Sequence, residues 1–472
     1  VQDPTLSQLL ARFAATTELA TLPPEVVASV PQRVLDILGI CVRATTLPTS
    51  TAVLDWAEEE GGAPRATAVG LADRLPASRA AFVNGVLAHS LDYDDTHLPS
   101  VLHPSASVVP AALAAAEASG ASGAETVAAI AVGIEICVRL GMAGFDEAAG
   151  QSVFFEHGQH ATSICGAIGA SAAAAMLDGA APDAERVAHA MGIAASMASG
   201  IIEANRTGGT VKRIHCGWAA QAGVTAAALA RRGLTGAPTA LEGRFGFFQA
   251  FLRDEWSSEP VTDGLGEVWS VPGIFYKPYP ANHFTHTGID AALKLRAAGL
   301  RTDEIESIHL GVATPTVRTI GEPIEAKRAP ETGYQAQFSG PFTIAAALCR
   351  GGGLGLGLSD FTDEAARDPE LRSLMAKITV GGDPDCDAIY PHQFPAVLTV
   401  TTTDGRILVE RVLANRGGDL WPLSSDELAA KFADNVEGLL EPADAKTVVE
   451  RCGRLAELHH LDELMAPLRL DG

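Results

Sequence analysis

TSICGAIGASAAAAMLDG (Thr162–Gly179) is a run in which almost every side chain is small. Small residues on successive turns let neighbouring helix backbones come close, so the stretch predicts a tightly packed helical bundle. The same texture recurs on the N-terminal side. PEVVASVPQRVLDILGICVRA (Pro24–Ala44), ASRAAFVNGVLAHSLDYDD (Ala77–Asp95) and ETVAAIAVGIEICVRLGMAG (Glu125–Gly144) read as amphipathic or small-residue helices.

The texture changes near residue 265. Strand-like runs then appear at ESIHLGVAT (Glu306–Thr314), KITVGG (Lys377–Gly382), AVLTVTTTDG (Ala396–Gly405) and ILVERV (Ile407–Val412), between helices such as THTGIDAALKLRAAG and FTIAAALCR. Helix returns at SSDELAAKFADNVEGLL, where Ser424 and Glu427 have capping-box spacing. This order predicts a mainly α protein. A large all-helical domain is formed by both chain ends (1–267 and 413–472), with a smaller inserted α/β lid domain at 268–412. The glycine run RGGGLGLGLSD (Arg350–Asp360) lacks the GKS/T ending and the dinucleotide glycine spacing, so it reads as a flexible connection in the smaller domain.

At 472 residues the chain is too long for one simple core, and 47% hydrophobic with 19% charged residues describes a compact globular protein. No apolar run is long enough to span a bilayer, and VQDPTLSQLLARF lacks a basic region followed by an apolar core. A soluble, cytoplasmic protein is expected. The net charge of −23 repels nucleic acid phosphates and anionic membranes, so neither is an expected partner, and an anionic ligand needs a locally basic pocket. Seven scattered cysteines without CxxC predict neither a disulfide framework nor a zinc knuckle.

LDYDDTHLPSVLHPSASVVP (Leu91–Pro110) places Asp92, Asp94, Asp95, His97 and His103 close together. His97 and His103 are six residues apart with Pro99 between them, so they share no helical face, and the loop lacks the alternating carboxylates of a hard-cation site. No metal and no cofactor are expected. A recurring layout says more. His103, His160, Lys212 with His215, and Lys277 with His283 and His286 each stand at or just before a small-residue helix, with Pro104 at a first helical position. Helix N-termini attract anions and keep an imidazole neutral and available as a base. Taken singly, each position reads as readily as a cap, a core group or a solvated pair; the recurrence carries the argument.

LDYDDTHLPSVLHPSASVVPAALA, HATSICGAIGASAAAAMLDG, GWAAQAGVTAAALARRGLTGAPTALEGRFGFF, KPYPANHFTHTGIDAA and EPIEAKRAPETGYQAQFSGPFTIAAAL together resemble the MmgE/PrpD family, over roughly residues 8 to 460. That family includes 2-methylcitrate dehydratases, cis-aconitate decarboxylases and iminodisuccinate epimerases. The resemblance implies a large helical domain, a smaller α/β lid domain, a homodimer and no metal. Position by position, the decarboxylase branch's pocket residues fall on Asp92, Thr96, His103, His160 and Lys212, and the KPYP lysine falls on Lys277. Two departures stand out. Asn282 occupies the place of a catalytic histidine of that branch, with His283 one position later, and one extra residue separates Thr96 from His103.

These activities share proton movement at a carbon flanked by carboxylates, which needs a positioned base and cations to absorb enolate charge. The expected roles are acid/base for His103 and His160, with giver and taker left open, and orientation and charge-tuning of one of these histidines by Asp92. Lys212 and Lys277 are expected to clamp carboxylates, and Thr96 to add a hydrogen bond, with His283 also on the substrate side. Lys327 and Arg328 either close over the pocket from the lid or form a solvated charged loop, and Tyr334 is a further lid-side candidate. The leading expectation is a cofactor-independent hydratase or dehydratase acting on a small di- or tricarboxylate of the 2-methylcitrate type. Decarboxylation of a cis-aconitate-like acid and epimerisation of an iminodisuccinate-like acid are the rival chemistries, and a carboxylate-binding protein is the non-enzyme alternative.

Overall fold

The computed structural model describes residues 3–179, 181–204 and 209–470, and these pack as two compact units. The first takes the chain up to Ile274 and again from Lys431; the second is Phe275–Ala430. The changeovers lie later than the expected edges at 268 and 412 because the segment around Tyr276 packs with the sheet-bearing unit. Tyr276 donates its N–H to the Gly417 carbonyl (3.0 Å) and its ring buries against Leu423 and Leu428.

The first unit is built on α1 (Pro24–Ala44), α2 (Ala77–His89), α3 (Ser105–Ser119), α4 (Gly123–Met142), α5 (Ala161–Met176) and α6 (Ile214–Ala230). Among its described residues the one β ladder pairs Phe145 with Ser152 and Asp146 with Gln151, beside isolated antiparallel bridges such as His97 with Leu102. Helix α5, the small-residue run, is buried along its whole length and packs against α3, α4 and α6. Glycine makes the close approaches possible. A methyl group built on Gly85 of α2 would lie 2.8 Å from the Cys216 carbonyl oxygen and 2.8 Å from Gly217 Cα of α6. One built on Gly133 of α4 would lie 2.8 Å from the Gly169 carbonyl oxygen of α5.

The second unit carries α7 (His286–Ala297), α8 (Gly340–Cys349) and a four-stranded sheet of β1 (Ile305–Val312), β2 (Ile378–Gly382), β3 (Ala396–Thr402) and β4 (Ile407–Val412). The strand order is β2-β1-β3-β4, parallel between β1 and β2 and antiparallel elsewhere. Ile308, Leu310, Leu398 and Val400 bury with Phe342 and Ile344 of α8 and Ile289 of α7. The expected capping box forms: Ser424 Oγ accepts from the Glu427 N–H (3.2 Å), and Glu427 Oε2 accepts from the Ser424 N–H (2.8 Å). The glycine run connects α8 to the short helix Asp363–Ala366, its turn closed by reciprocal Gly352–Gly355 hydrogen bonds of 2.8 Å.

The crossing of α2 and α6 sets the spacing between the end of one helix and the start of the other. Gly85→Ala is therefore expected to destabilise the fold by about 1–3 kcal/mol, because the added methyl meets backbone that has no rotamer to yield. Urea unfolding checks this, and an unchanged midpoint contradicts the packing described.

Candidate active site

Helix α2 ends at His89, and the chain then makes a buried turn before α3 begins at Ser105. Pro104 lies one residue before the first helical position rather than on it. Asp95 anchors the turn. Its carboxylate receives Arg33 Nη1 of α1 at 2.7 Å, Ser105 Oγ at 2.5 Å and the Ser105 N–H at 3.2 Å. Arg33 also donates to the carbonyls of Val271 (2.6 Å) and Ile274 (2.9 Å). Asp95 is therefore a structural acid, hydrogen-bonded on both oxygens.

Four imidazoles collect beside this turn. His89, at the end of α2, lies 5.3 Å from His103 and 5.5 Å from His160 between ring centroids, and His160 lies 4.9 Å from His215. His103 Nδ1 donates to the Asp95 carbonyl oxygen at 2.7 Å, with Thr96 Oγ1 at 3.3 Å and Asp94 Oδ2 at 4.0 Å from the same nitrogen. A carbonyl oxygen only accepts, so Nδ1 bears hydrogen and the neutral ring carries its lone pair on Nε2. His89 Nδ1 lies 2.7 Å from Asp94 Oδ2.

His160 is the N-cap residue of α5, and His215 is the second residue of α6. Their Nδ1 atoms are 2.9 Å apart, so a single hydrogen lies between them. Burial, reinforced by the nearby charges of His89 and Lys212, holds His160 well below the ordinary imidazole value and brings His215 down to about 4. Both rings are neutral near pH 7.

Asp92 supplies a carboxylate from a left-handed backbone (φ 52°), a conformation that aspartate adopts more readily than most side chains. Its Oδ1 lies 3.3 Å from Lys212 Nζ, on the one-turn helix Val211–Arg213 leading into α6. The first unit thus gathers Asp92, Thr96, His103, His160 and Lys212. His97 binds Ser100 Oγ at 2.6 Å instead. Among the described residues, no group of three or more His, Cys, Asp or Glu side chains has the arrangement of a metal site.

The other candidates belong to the second unit. Lys277 is fully buried. His283 is enclosed by Phe275 and Phe394 and lies 4.6 Å from the His286 ring, and Asn282 Oδ1 accepts from the Phe284 N–H (3.1 Å) as a cap. Lys327 Nζ donates to the Phe338 carbonyl (2.8 Å) and Arg328 Nε to the Ile378 carbonyl (2.9 Å). Both are half-buried braces within their unit, not a solvated loop. Tyr334 is exposed beside Phe338, at 5.3 Å between rings.

Sequence reasoning passed over His89 and Asp94 as a pair and left His215 without a role. The available signal was a histidine closing an apolar helix five residues before an aspartate, but a helical end and a polar turn explain that pattern equally well.

Residues 8–259 match the model of the MmgE/PrpD N-terminal domain, and residues 279–455 match that of the MmgE/PrpD C-terminal domain. The chain is 30% identical to a cis-aconitate decarboxylase of Mus musculus, over 90% of this chain and 87% of the relative. It is 30% identical to one of Homo sapiens, over 92% and 89%. A cis-aconitate decarboxylase of Aspergillus terreus is 26% identical, over 84% and 83%.

The depressed histidines give the fold a pH dependence of definite sign. An unfolded imidazole titrates near 6.5, so below that pH the unfolded chain takes up protons that the folded chain refuses until about pH 4, and stability falls with pH across this window. His215→Gln removes one such group. Its melting temperature is expected to fall less between pH 7 and pH 5 than that of the unsubstituted protein, equivalent to about 1–2 kcal/mol. Equal falls in differential scanning fluorimetry contradict a neutral buried His215.

Proposed function

The chain belongs to the MmgE/PrpD family, and on that footing we propose that it is a lyase removing carbon dioxide from a small tricarboxylate of the cis-aconitate kind, with His103 as the proton carrier. The observation that carries the reading is His103 itself. Its Nδ1–H is fixed on the Asp95 carbonyl, with the Asp94 carboxylate 4.0 Å away, so the ring is held in one orientation with Nε2 as the nitrogen that exchanges a proton. Burial and the surrounding positive charge keep His160 neutral, which suits it to hydrogen bonding rather than to delivering a proton. The relatives named as cis-aconitate decarboxylases favour this chemistry over the water addition or removal expected first from the sequence.

In this reaction the bond to the departing carboxylate breaks, and its electron pair enters the neighbouring unsaturated acid. His103 delivers one proton to carbon, and carbon dioxide leaves. Lys212 clamps a carboxylate of the substrate, with Asp92 fixing its ammonium group. Thr96 and His160 supply hydrogen bonds. The proposal rests on first-unit residues alone.

One observation favours the hydro-lyase reading. Asn282 stands where the decarboxylase branch carries a catalytic histidine, and its side-chain oxygen serves as a cap. In that case His103 would move the proton on a 2-methylcitrate-like acid.

Kinetics on cis-aconitate separate carrier from clamp. His103→Gln is expected to lower kcat by roughly 10²–10⁴-fold with little change in KM, and Lys212→Met chiefly to raise KM. A folded His103→Gln enzyme with near-normal kcat would falsify the assignment, and an unsubstituted protein inert toward cis-aconitate but active on 2-methylcitrate moves the reading to the hydro-lyase.

We also propose a homodimer. The outer face of α6 exposes Ile214, Trp218 and Leu229, with Val211 and Leu234 exposed beyond its two ends, while its inner face buries His215. Sedimentation is expected to give twice the 48.9 kDa chain mass, and Ile214→Asp with Trp218→Asp to shift it toward monomer. A fully active monomer at micromolar concentration contradicts this.

A further inference from the structure

The His89–Asp94 pair is the part of the histidine cluster to which the family resemblance gives no task. Two features of its setting favour a cation there. His89 is the last residue of α2, where the carbonyl end of a helix favours a cation. Its Nδ1 is 2.7 Å from the Asp94 carboxylate, and both side chains are completely buried. The ring is flanked by His103 and His160, and its Nε2 is buried without a hydrogen-bond partner among the described residues. His160 and His215 stand at the opposite kind of helix end, where an imidazolium is disfavoured.

Two imidazolium rings about 5 Å apart in a buried cluster repel strongly. In the resting cluster the first charge therefore sits where the carboxylate and the helix terminus both favour it, at the end of α2, and a proton taken up by His103 for delivery to carbon is held more loosely beside it. We infer that His89, ion-paired with Asp94, is a positioning residue that holds the resident positive charge of the cluster and so sets the proton affinity of His103 and His160. The inference rests on the proposed acid/base reading of His103. After burial itself, the charge of His89 is the largest influence keeping His160 and His215 neutral.

The surrounding charges add less: Lys212 acts on His160 and His215 behind His89, and the neighbouring charges are each matched in a pair. Arg33 and Asp95 meet at 2.7 Å, Lys431 and Asp36 at 2.6 Å, and Lys212 and Asp92 at 3.3 Å. Arg213 Nε donates to the Ser90 carbonyl (3.3 Å), and the thiols of Cys41 and Cys216 near Asp94 are held protonated by burial.

The test is the pH profile of kcat/KM for the unsubstituted enzyme, His89→Gln, and His89→Gln with Asp94→Asn. Removing the cation alone leaves Asp94 to act on His103 at 4.0 Å. The histidine-dependent limb of the single variant is then expected to move to higher pH by about one unit. Removing both charges is expected to return the limb toward its original position, a recovery that a packing defect does not produce. A limb unmoved in His89→Gln, or moved at least as far in the double variant, overturns the inference. Ring-nitrogen NMR of the unsubstituted protein reads the same claim without depending on a variant's folding. The His89 ring is expected to carry hydrogen on both nitrogens at neutral pH, and a neutral His89 ring overturns it. Failure of the acid/base reading shows separately, as activity retained in His103→Gln.

Discussion

The buried ion pair between Arg33 and Asp95 is the constraint on which the site depends. Burying two charges is costly unless their remaining hydrogen-bonding positions are also satisfied. Here Arg33 reaches two carbonyls at the end of the first unit's long segment, and Asp95 reaches the first residue of α3. The pair therefore fixes the turn between α2 and α3 from both sides. Once the turn is fixed, the Asp95 carbonyl orients His103, the Asp94 carboxylate meets His89, and Asp92 is held in its left-handed conformation opposite Lys212.

Helix polarity then sorts the titratable groups. His160 and His215 stand at N-termini, which disfavour an imidazolium, and His89 stands at a C-terminus, which favours one. Bringing these ends within contact of one another requires helices whose backbones nearly touch. The Gly85–Gly217 crossing of α2 with α6, and the approach of Gly133 on α4 to Gly169 on α5, provide that closeness. Packing and chemistry are thus set by the same residues. The alanines and glycines that make the bundle tight also bring four imidazoles together without a large side chain between them.

Much of this was legible in the sequence, for physical reasons. The small-residue run at Thr162 reads as a tightly packed helix and the runs after residue 300 read as strands, so the mainly α architecture with a small α/β part was legible in the order of these patterns. His160 and Lys212 were found because they precede helices. His89 was not, because a histidine at the end of an apolar helix has no local mark that distinguishes it from a core group, and its partner Asp94 sits in a turn rich in polar residues. The long-range contact that gives Asp95 its structural role, to Arg33, is 62 residues away in sequence and leaves no periodic trace.

The central claim is that this cluster moves a proton at a carbon beside a carboxylate. Incubation with cis-aconitate, 2-methylcitrate or iminodisuccinate in D₂O, followed by NMR, tests it most directly. The account predicts release of carbon dioxide from cis-aconitate with one solvent deuteron bound to carbon in the product. No deuterium entering any of the three acids, alongside thermal stabilisation by one of them, would contradict it and leave a protein that binds carboxylates without transforming them.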